Sequence, residues 1–292
     1  MFLPHKILEE KLLRILAEDT GQGDITTALI VPQETTAEAE IIAKEEGTAA
    51  GVEEAKILLE CLGLTAKNLV EDGDQIKPGH VLIKVSGDAR TILTAERTVL
   101  NILSRMSGIA TKTKILTEKL RAKGLKTKIA CTRKTAPGLS YFDKKAVQIG
   151  GGDAHRLHLD DMVLIKDNHI RIAGNVNKAV RRAMEKASFS KKIEVEITET
   201  EDILPAIEAG VDIVMLDNFS PKQIKNACLI LKKSRFYGKI LIEASGGITE
   251  TNLLQYASSG VDIVSMGALT NSVKALDISL EITKTNKKKT GN

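Results

Sequence analysis

The sequence predicts an α/β protein whose later part is a barrel of βα units, and three observations predict it. From Gly124 onward, short apolar stretches alternate with helical ones at intervals of roughly twenty to thirty residues, the spacing of repeated strand–helix units. Gly210-Val211-Asp212-Ile213-Val214 recurs as Gly260-Val261-Asp262-Ile263-Val264, each after a helix ending in a small residue and glycine. Such self-similarity is what stacked βα units leave in a sequence, and it disfavours a β-sandwich for this part. Before Gly124 the texture differs, with an amphipathic helix, an alternating strand and turn-rich β segments.

Taken in order, Pro4 fits the first turn of a helix whose Ile7, Leu8, Leu12, Ile15 and Leu16 form one stripe and which ends at Gly21-Gln22-Gly23. Asp24, Thr26 and Thr27 read as capping or loop residues. Ala37, Ala39, Ile41 and Ala43 alternate as a half-buried strand does, and a helix follows over 52–62. Asp72-Gly73-Asp74 and Pro78-Gly79 are turn chemistry between β-rich runs, so 70–85 is expected to be a short antiparallel meander. This segment superficially resembles half of a biotinyl or lipoyl carrier, but Lys84 sits in a strand pattern and not at a hairpin tip. From Thr94 a helix carries Leu100, Ile102, Leu103 and Met106, and Gly108 is expected to separate it from a second helix ending near Gly124. The barrel strands fall at 127–130, 162–166, 193–197, 213–216, 240–243 and 263–266. Leu276, Ile278, Leu280 and Ile282 alternate with polar residues, as in a strand returning to the N-terminal sheet.

Composition narrows the function classes. A chain of 292 residues that is 42% hydrophobic can bury a sizeable core. Its formal charge of +4 is small and dispersed, and three tyrosines with no tryptophan leave few platforms for stacking bases, so no nucleic-acid partner is expected. Cys61, Cys131 and Cys228 are odd in number and far apart, which gives neither a disulfide framework nor a zinc knuckle and fits a reducing compartment. Residues 1–16 lack the apolar core of a signal peptide, and no run is long enough to cross a bilayer, so no membrane association is expected and a cytoplasmic location follows. The basic run 287–289 reads as a solvated terminus.

Residues 132–170 concentrate Arg133, Lys134, His155, Arg156, Lys166 and His169 between apolar runs. If these side chains converge at strand ends they need anions, since removing the partner of a buried charge costs about 3–5 kcal/mol. The alternative is a solvated basic face, which is the reading for Lys144 and Lys145. In βα barrels the working residues lie at the carboxyl ends of strands, with phosphate held near the last ones. Arg133 and Lys134 follow the first strand, Lys166 ends the second, Glu194 and Glu196 share a face of the third, and Asp217 ends the fourth. After the fifth comes Ser245-Gly246-Gly247 and after the sixth Gly267-Ala268, where glycine amides and a following helix suit a phosphate. The carboxylates either hold a hard cation, Mg²⁺ shared with a diphosphate, or pair with the bases. His155 and His169 are candidate acids, bases or hydrogen-bond donors.

These residues carry a resemblance over nearly the whole chain. The matching stretches are Glu18-Asp19 through Gly23-Asp24-Ile25-Thr26, Leu93 through Thr98, Ser107 through Thr111, Thr132-Arg133-Lys134-Thr135, Gly150-Gly151-Gly152, His155-Arg156, Ile165 through His169, Leu216-Asp217-Asn218 and Ser245-Gly246-Gly247. In that order they make the chain similar to the quinolinate phosphoribosyltransferases, the decarboxylating type II phosphoribosyltransferases. The resemblance implies an N-terminal open-faced α/β sandwich over 1–110, joined by the C-terminal strand 272–292. It also implies an incomplete, open, about seven-stranded TIM-like α/β barrel over 111–271 that holds the phosphoribosyl diphosphate site.

By the same resemblance the reaction joins quinolinate and 5-phosphoribosyl 1-diphosphate, with Mg²⁺, into nicotinate mononucleotide, CO₂ and diphosphate. Thr132, Arg133, His155, Arg156 and Lys166, with Arg97 from a partner subunit, would bind quinolinate. Lys134, Glu196 and Asp217 would be catalytic, the two acids reaching the ribose hydroxyls and Mg²⁺, and Ser245, Gly246, Gly247, Met266, Gly267 and Ala268 would hold phosphate. An obligate homodimer with shared active sites is implied, and a higher oligomer such as a hexamer is left open. The pyridine nitrogen attacks an oxocarbenium-like ribose carbon without a protein nucleophile, and once alkylated it is an electron sink that makes loss of the 2-carboxylate feasible. Cys131 and His158 depart from the family's acid and glycine, which puts substrate detail in question. The rivals are a transferase acting on nicotinate without decarboxylation and a catalytically silent phosphosugar-binding barrel.

Overall fold

The computed structural model describes residues 3–287, so positions 288 and 289 of the basic run lie outside the described residues. The strands are β1 (Thr35–Ala43), β2 (Gly47–Thr48), β3 (Thr65–Asn68), β4 (Gln75–Ile76), β5 (Val81–Asp88), β6 (Lys128–Ala130), β7 (Val163–Ile165), β8 (Ile193–Ile197), β9 (Ile213–Asp217), β10 (Leu241–Ser245), β11 (Ile263–Ser265) and β12 (Ile278–Lys287). They fall into two compact units, one of Met1–Lys114, Gln148–Gly151 and Val273–Asn292, the other of Ile115–Val147 and Gly152–Ser272.

The first unit is built on an antiparallel sheet in the order β12-β1-β5-β3. Along β1, residues Thr35, Ala37, Ala39, Ile41 and Ala43 are buried while their neighbours are not, so helices cover one face and leave the other open. Helix His5–Thr20 turns Leu8, Leu12 and Leu16 inward and packs on helix Val52–Cys61, which lies on β3 and β5. Each such leucine contributes about 1.5–3 kcal/mol of burial. Gly21 closes the first helix at φ 56, its amide donating to the Ala17 carbonyl, and the Asp24 carboxylate accepts from the Thr27 amide to cap Ile25–Ile30.

Two expectations about this unit fail for physical reasons. The turn-rich segment is not a meander: β3 pairs with β5, while β4 leaves that sheet to pair with β2, a partner almost thirty residues earlier whose contact no local pattern announces. Nor does Gly108 break a helix, because Ala89–Arg121 is continuous. A methyl group on Gly108 would lie 2.1 Å from the Lys274 carbonyl oxygen, so this glycine permits a close backbone approach and not a turn. Gly108→Ala is therefore expected to cost about 1–3 kcal/mol through overpacking, read as a lower thermal midpoint. Lys84 does lie within β5, ion-paired with Glu40 across the strand at 3.0 Å, as the rejection of a carrier lysine requires.

The second unit holds a six-stranded, wholly parallel sheet in the order β6-β11-β10-β9-β8-β7. All six anticipated strands are present. Beyond β6 a seventh position is reduced to a single parallel bridge between Ala130 and Asp153, which gives the open, incomplete barrel. The repeated pentapeptide has a structural cause. Asp212 sits just before β9, takes the Ile193 amide on its carboxylate at 2.7 Å, donates its own amide to the Ile193 carbonyl and accepts the Leu241 amide. Asp262 does the same before β11, with its carboxylate on the Ile242 amide at 2.9 Å and its carbonyl on the Lys128 amide. Each repeat thus stitches three neighbouring strands together at their N-terminal ends.

Candidate active site

The opposite, C-terminal ends of these strands surround a cavity of about 520 Å³. It is lined by Thr132, Arg133 and Lys134 after β6, His155 and Arg156, Lys166 after β7, Glu196 on β8, Asp217 and Asn218 from β9, and Glu243 with Ser245, Gly246 and Gly247 from β10. A larger cavity of about 680 Å³ opens at the N-terminal ends, beside Lys128, Ile213, Leu241 and Ile263. Size does not decide between them. The smaller cavity gathers unpaired cations, paired acids and flexible glycines at the strand ends where barrels do chemistry.

Arg156 is buried at 8% exposure and Arg133 is exposed, and among the described residues neither guanidinium has a hydrogen-bond or ion-pair partner. Burial and then the Arg133 charge pull Arg156 below the ordinary arginine range. Two such guanidiniums facing one cavity call for a bound anion. Lys166 places its ammonium 3.1 Å from Glu196 Oε2, so one acid and one base of the mouth are paired in the way the alternative reading allowed. His169 is spent structurally, its Nδ1 accepting from the Lys166 amide at 2.9 Å.

Burial and then the Glu196 charge raise the Asp217 carboxyl, and the lysines 166 and 134 counter them. Asn218, in the left-handed region at φ 59, steadies Asp217 through a 2.6 Å hydrogen bond to its Oδ2 and donates its amide to the Ser245 carbonyl. Gly246 closes over Asn218, where a methyl group would meet the amide oxygen at 2.2 Å, and it and Gly247 are both left-handed at φ 94 and 60. The expected long helix after these glycines is absent: Leu253–Ala257 is five residues and begins later.

The remaining phosphate candidates divide. Gly267 faces the Lys134 stem and Thr132, but Met266 is buried, does not line the cavity, and spends its amide on the Ala130 carbonyl to extend the sheet. Ala268 is exposed and also outside the lining. Arg97 belongs to the first unit, exposed on helix Ala89–Arg121. His158 is exposed and lines neither cavity, so its departure from the family pattern does not touch the pocket. Cys131 is fully buried, burial pushes its thiol up, and Lys144 lies 3.6 Å away while donating to the Ala154 carbonyl at 2.6 Å. Lys144 and Lys145 are consequently interior residues, 1% and 7% exposed, and not the solvated face expected of them.

Glu243 was not anticipated. It is fully buried with Glu194, and their Oε2 atoms stand 3.1 and 3.3 Å from His155 Nε2. Burial alone would push the imidazole down, but the two carboxylates outweigh it and hold the group up to about 10. The Arg156 amide donates to Nδ1 at 2.8 Å, which reserves that nitrogen as an acceptor and leaves Nε2 as the ring's one donor. The second proton therefore resides on a carboxyl. Glu194 is that group, raised by burial and by the Glu243 charge. Counted together, the trio holds two protons and one net negative charge.

Comparison with known proteins agrees with this geometry. Family models described as the N-terminal and C-terminal domains of quinolinate phosphoribosyl transferase match residues 24–107 and 109–281. The chain is 48% identical over 284 residues to the probable nicotinate-nucleotide pyrophosphorylase [carboxylating] of Methanocaldococcus jannaschii, covering 94% of this chain and 99% of that one. It is 45% identical over 268 residues to the probable enzyme of the same name from Methanothermobacter thermautotrophicus, covering 92% and 96%. The solved nicotinate-nucleotide pyrophosphorylase of Francisella tularensis superposes with a TM-score of 0.87 at 38% identity, over 97% of this chain and 98% of that one.

Proposed function

The chain belongs to the quinolinate phosphoribosyltransferase family, and from that premise we propose that its C-terminal barrel cavity joins quinolinate to 5-phosphoribosyl 1-diphosphate. The products are nicotinate mononucleotide, CO₂ and diphosphate, a step of NAD biosynthesis. The observation that carries the reading is the pair of partnerless guanidiniums, Arg133 and Arg156, in a cavity that also offers Glu196 and Asp217. A dicarboxylate satisfies the first pair, and a ribose with its diphosphate suits the second. Thr132, His155 and Lys166 border the same dicarboxylate region, and Lys134 neutralises the departing diphosphate. Ser245, Gly246 and Gly247 offer the 5′-phosphate a concave turn, with Gly267 beneath Lys134.

The raised Asp217 carboxyl beside Glu196 marks two oxygen donors in like-charge repulsion, a donor set that fits Mg²⁺. When bound, Mg²⁺ would add positive charge against the diphosphate. A homodimer with shared sites is the assembly we infer. It is supported by the helix Ile25–Ile30, whose Ile25, Leu29 and Ile30 are 74%, 79% and 74% exposed and form an apolar patch of the kind a second copy covers. Arg97 of that copy would complete the quinolinate clamp. Among the described residues no helix is long and apolar enough to cross a membrane, in keeping with a cytoplasmic enzyme.

With Mg²⁺ and phosphoribosyl diphosphate, quinolinate is expected to yield CO₂, diphosphate and mononucleotide in equal amounts, and nicotinate none of them. Diphosphate without CO₂ would sink the decarboxylating assignment. No turnover at all would leave the silent binding barrel.

A further inference from the structure

Resting on the transferase reading, the chemistry leaves one requirement that none of the roles above meets. When the bond between the ring carbon and its 2-carboxylate breaks, CO₂ departs and the electron pair stays on that carbon, beside the alkylated nitrogen. The carbon must then take up one proton before nicotinate mononucleotide can leave. Arginine guanidiniums do not give up protons at working pH, and Lys166 is held in an ion pair.

Beneath the dicarboxylate region lies the buried trio of Glu194, His155 and Glu243. Both acids are fully buried, and among the described residues Glu194 Oε1 and Glu243 Oε1 have no hydrogen-bond partner. Two carboxylates so close in a dry site cannot both ionise without large cost, so they retain a proton between them. His155 Nε2 bridges them, and Glu243 is the acid of the pair that lines the cavity. A divalent ion on Nε2 would need the ring proton on Nδ1, where the Arg156 amide already points, so the geometry favours protons over metal as the trio's cargo. His155 also lines the larger cavity at the N-terminal ends, which gives the trio a second, solvent-side face.

We propose that the trio of Glu194, His155 and Glu243 is the acid that protonates the ring carbon vacated by CO₂, with Glu243 delivering the proton. The carboxyl O–H bond of Glu243 breaks, its proton bonds to the ring carbon, and the trio is left one charge more negative. A proton from water in the N-terminal cavity, passed by the His155 ring, restores it. Glu194 is then a positioning residue that keeps the shared proton in place.

Rapid-quench single turnovers with Mg²⁺, phosphoribosyl diphosphate and quinolinate test this, with diphosphate and CO₂ measured separately. Glu243→Gln is expected to slow CO₂ release at least about tenfold more than diphosphate release, as loss of a general acid does, so that a mononucleotide still bearing both carboxylates accumulates. In D₂O the wild-type CO₂ step is expected to slow about twofold or more while diphosphate release does not. The proposal is overturned if CO₂ keeps pace with diphosphate in a folded Glu243→Gln enzyme, or if the wild-type CO₂ step is indifferent to D₂O. The D₂O arm decides alone should the variant not fold. A wild type that releases diphosphate and never CO₂ overturns the transferase reading instead.

Discussion

Arg156→Leu is expected to lower kcat/KM for quinolinate by at least about a hundredfold, while KM for phosphoribosyl diphosphate changes by less than about threefold. Truncating one side of a buried, hydrogen-bonded charge pair costs about 2–5 kcal/mol, most of it the penalty on the charge left behind. Here the stranded charge belongs to the substrate, whose carboxylate would meet a dry wall beside Arg133. The same substitution removes a buried cation that no protein carboxylate balances, so the free enzyme is expected to melt no lower than wild type. Arg156→Lys should recover only part of the loss, since a point-like ammonium cannot span a carboxylate as a guanidinium does. Steady-state kinetics against each substrate, with a melting curve, distinguish this from damage to the fold. Equal losses for both substrates would count against a dicarboxylate clamp.

Arg97→Ala is expected to abolish activity, a loss of at least about a thousandfold, while the purified protein keeps its dimer in sedimentation. The side chain is exposed on the first unit's long helix, so nothing in the fold depends on it, and any catalytic effect must come from what it touches in an assembly. Lys134→Ala should be as inactive for a different reason, the loss of charge against departing diphosphate. Mixing the two variants under subunit exchange makes half of the dimers hybrid, each with one intact site of two. About a quarter of wild-type activity should return, as two-fold symmetry with a shared site requires. Silence from demonstrably hybrid dimers would place Arg97 outside the site.

What the sequence made legible was periodic, and what it hid was non-local. The six barrel strands were readable because each is a short apolar run bounded by turns, and the recurrence of Gly-Val-Asp-Ile-Val marked two of them outright. Most of the cavity followed, because residues such as Arg133, Lys166, Asp217 and Ser245 sit at strand ends whose positions alternation fixes. Gly108 misled because glycine serves both to end helices and to admit a neighbouring backbone, and only the Lys274 carbonyl tells which. The lysines 144 and 145 misled because a stretch of charge does not reveal that a carbonyl such as that of Ala154 waits inside. Glu243 passed unremarked within an apolar strand, although a signal was present: it stands two residues before Ser245, and period two aims both at the same face.

The aspartates of the two repeats take on a different meaning beside the cavity. A sheet left unclosed has no ring to hold its strands level, and a slip of one residue would turn every side chain to the opposite face. Asp212 fixes β9 against both neighbours five positions before Asp217, and in that alignment Asp217 stands level with Ser245 of the next strand. The clips therefore act as index marks, set at the far end of each strand from the chemistry. A loop at the mouth can then be rewritten for another substrate without disturbing where the next strand's side chain arrives.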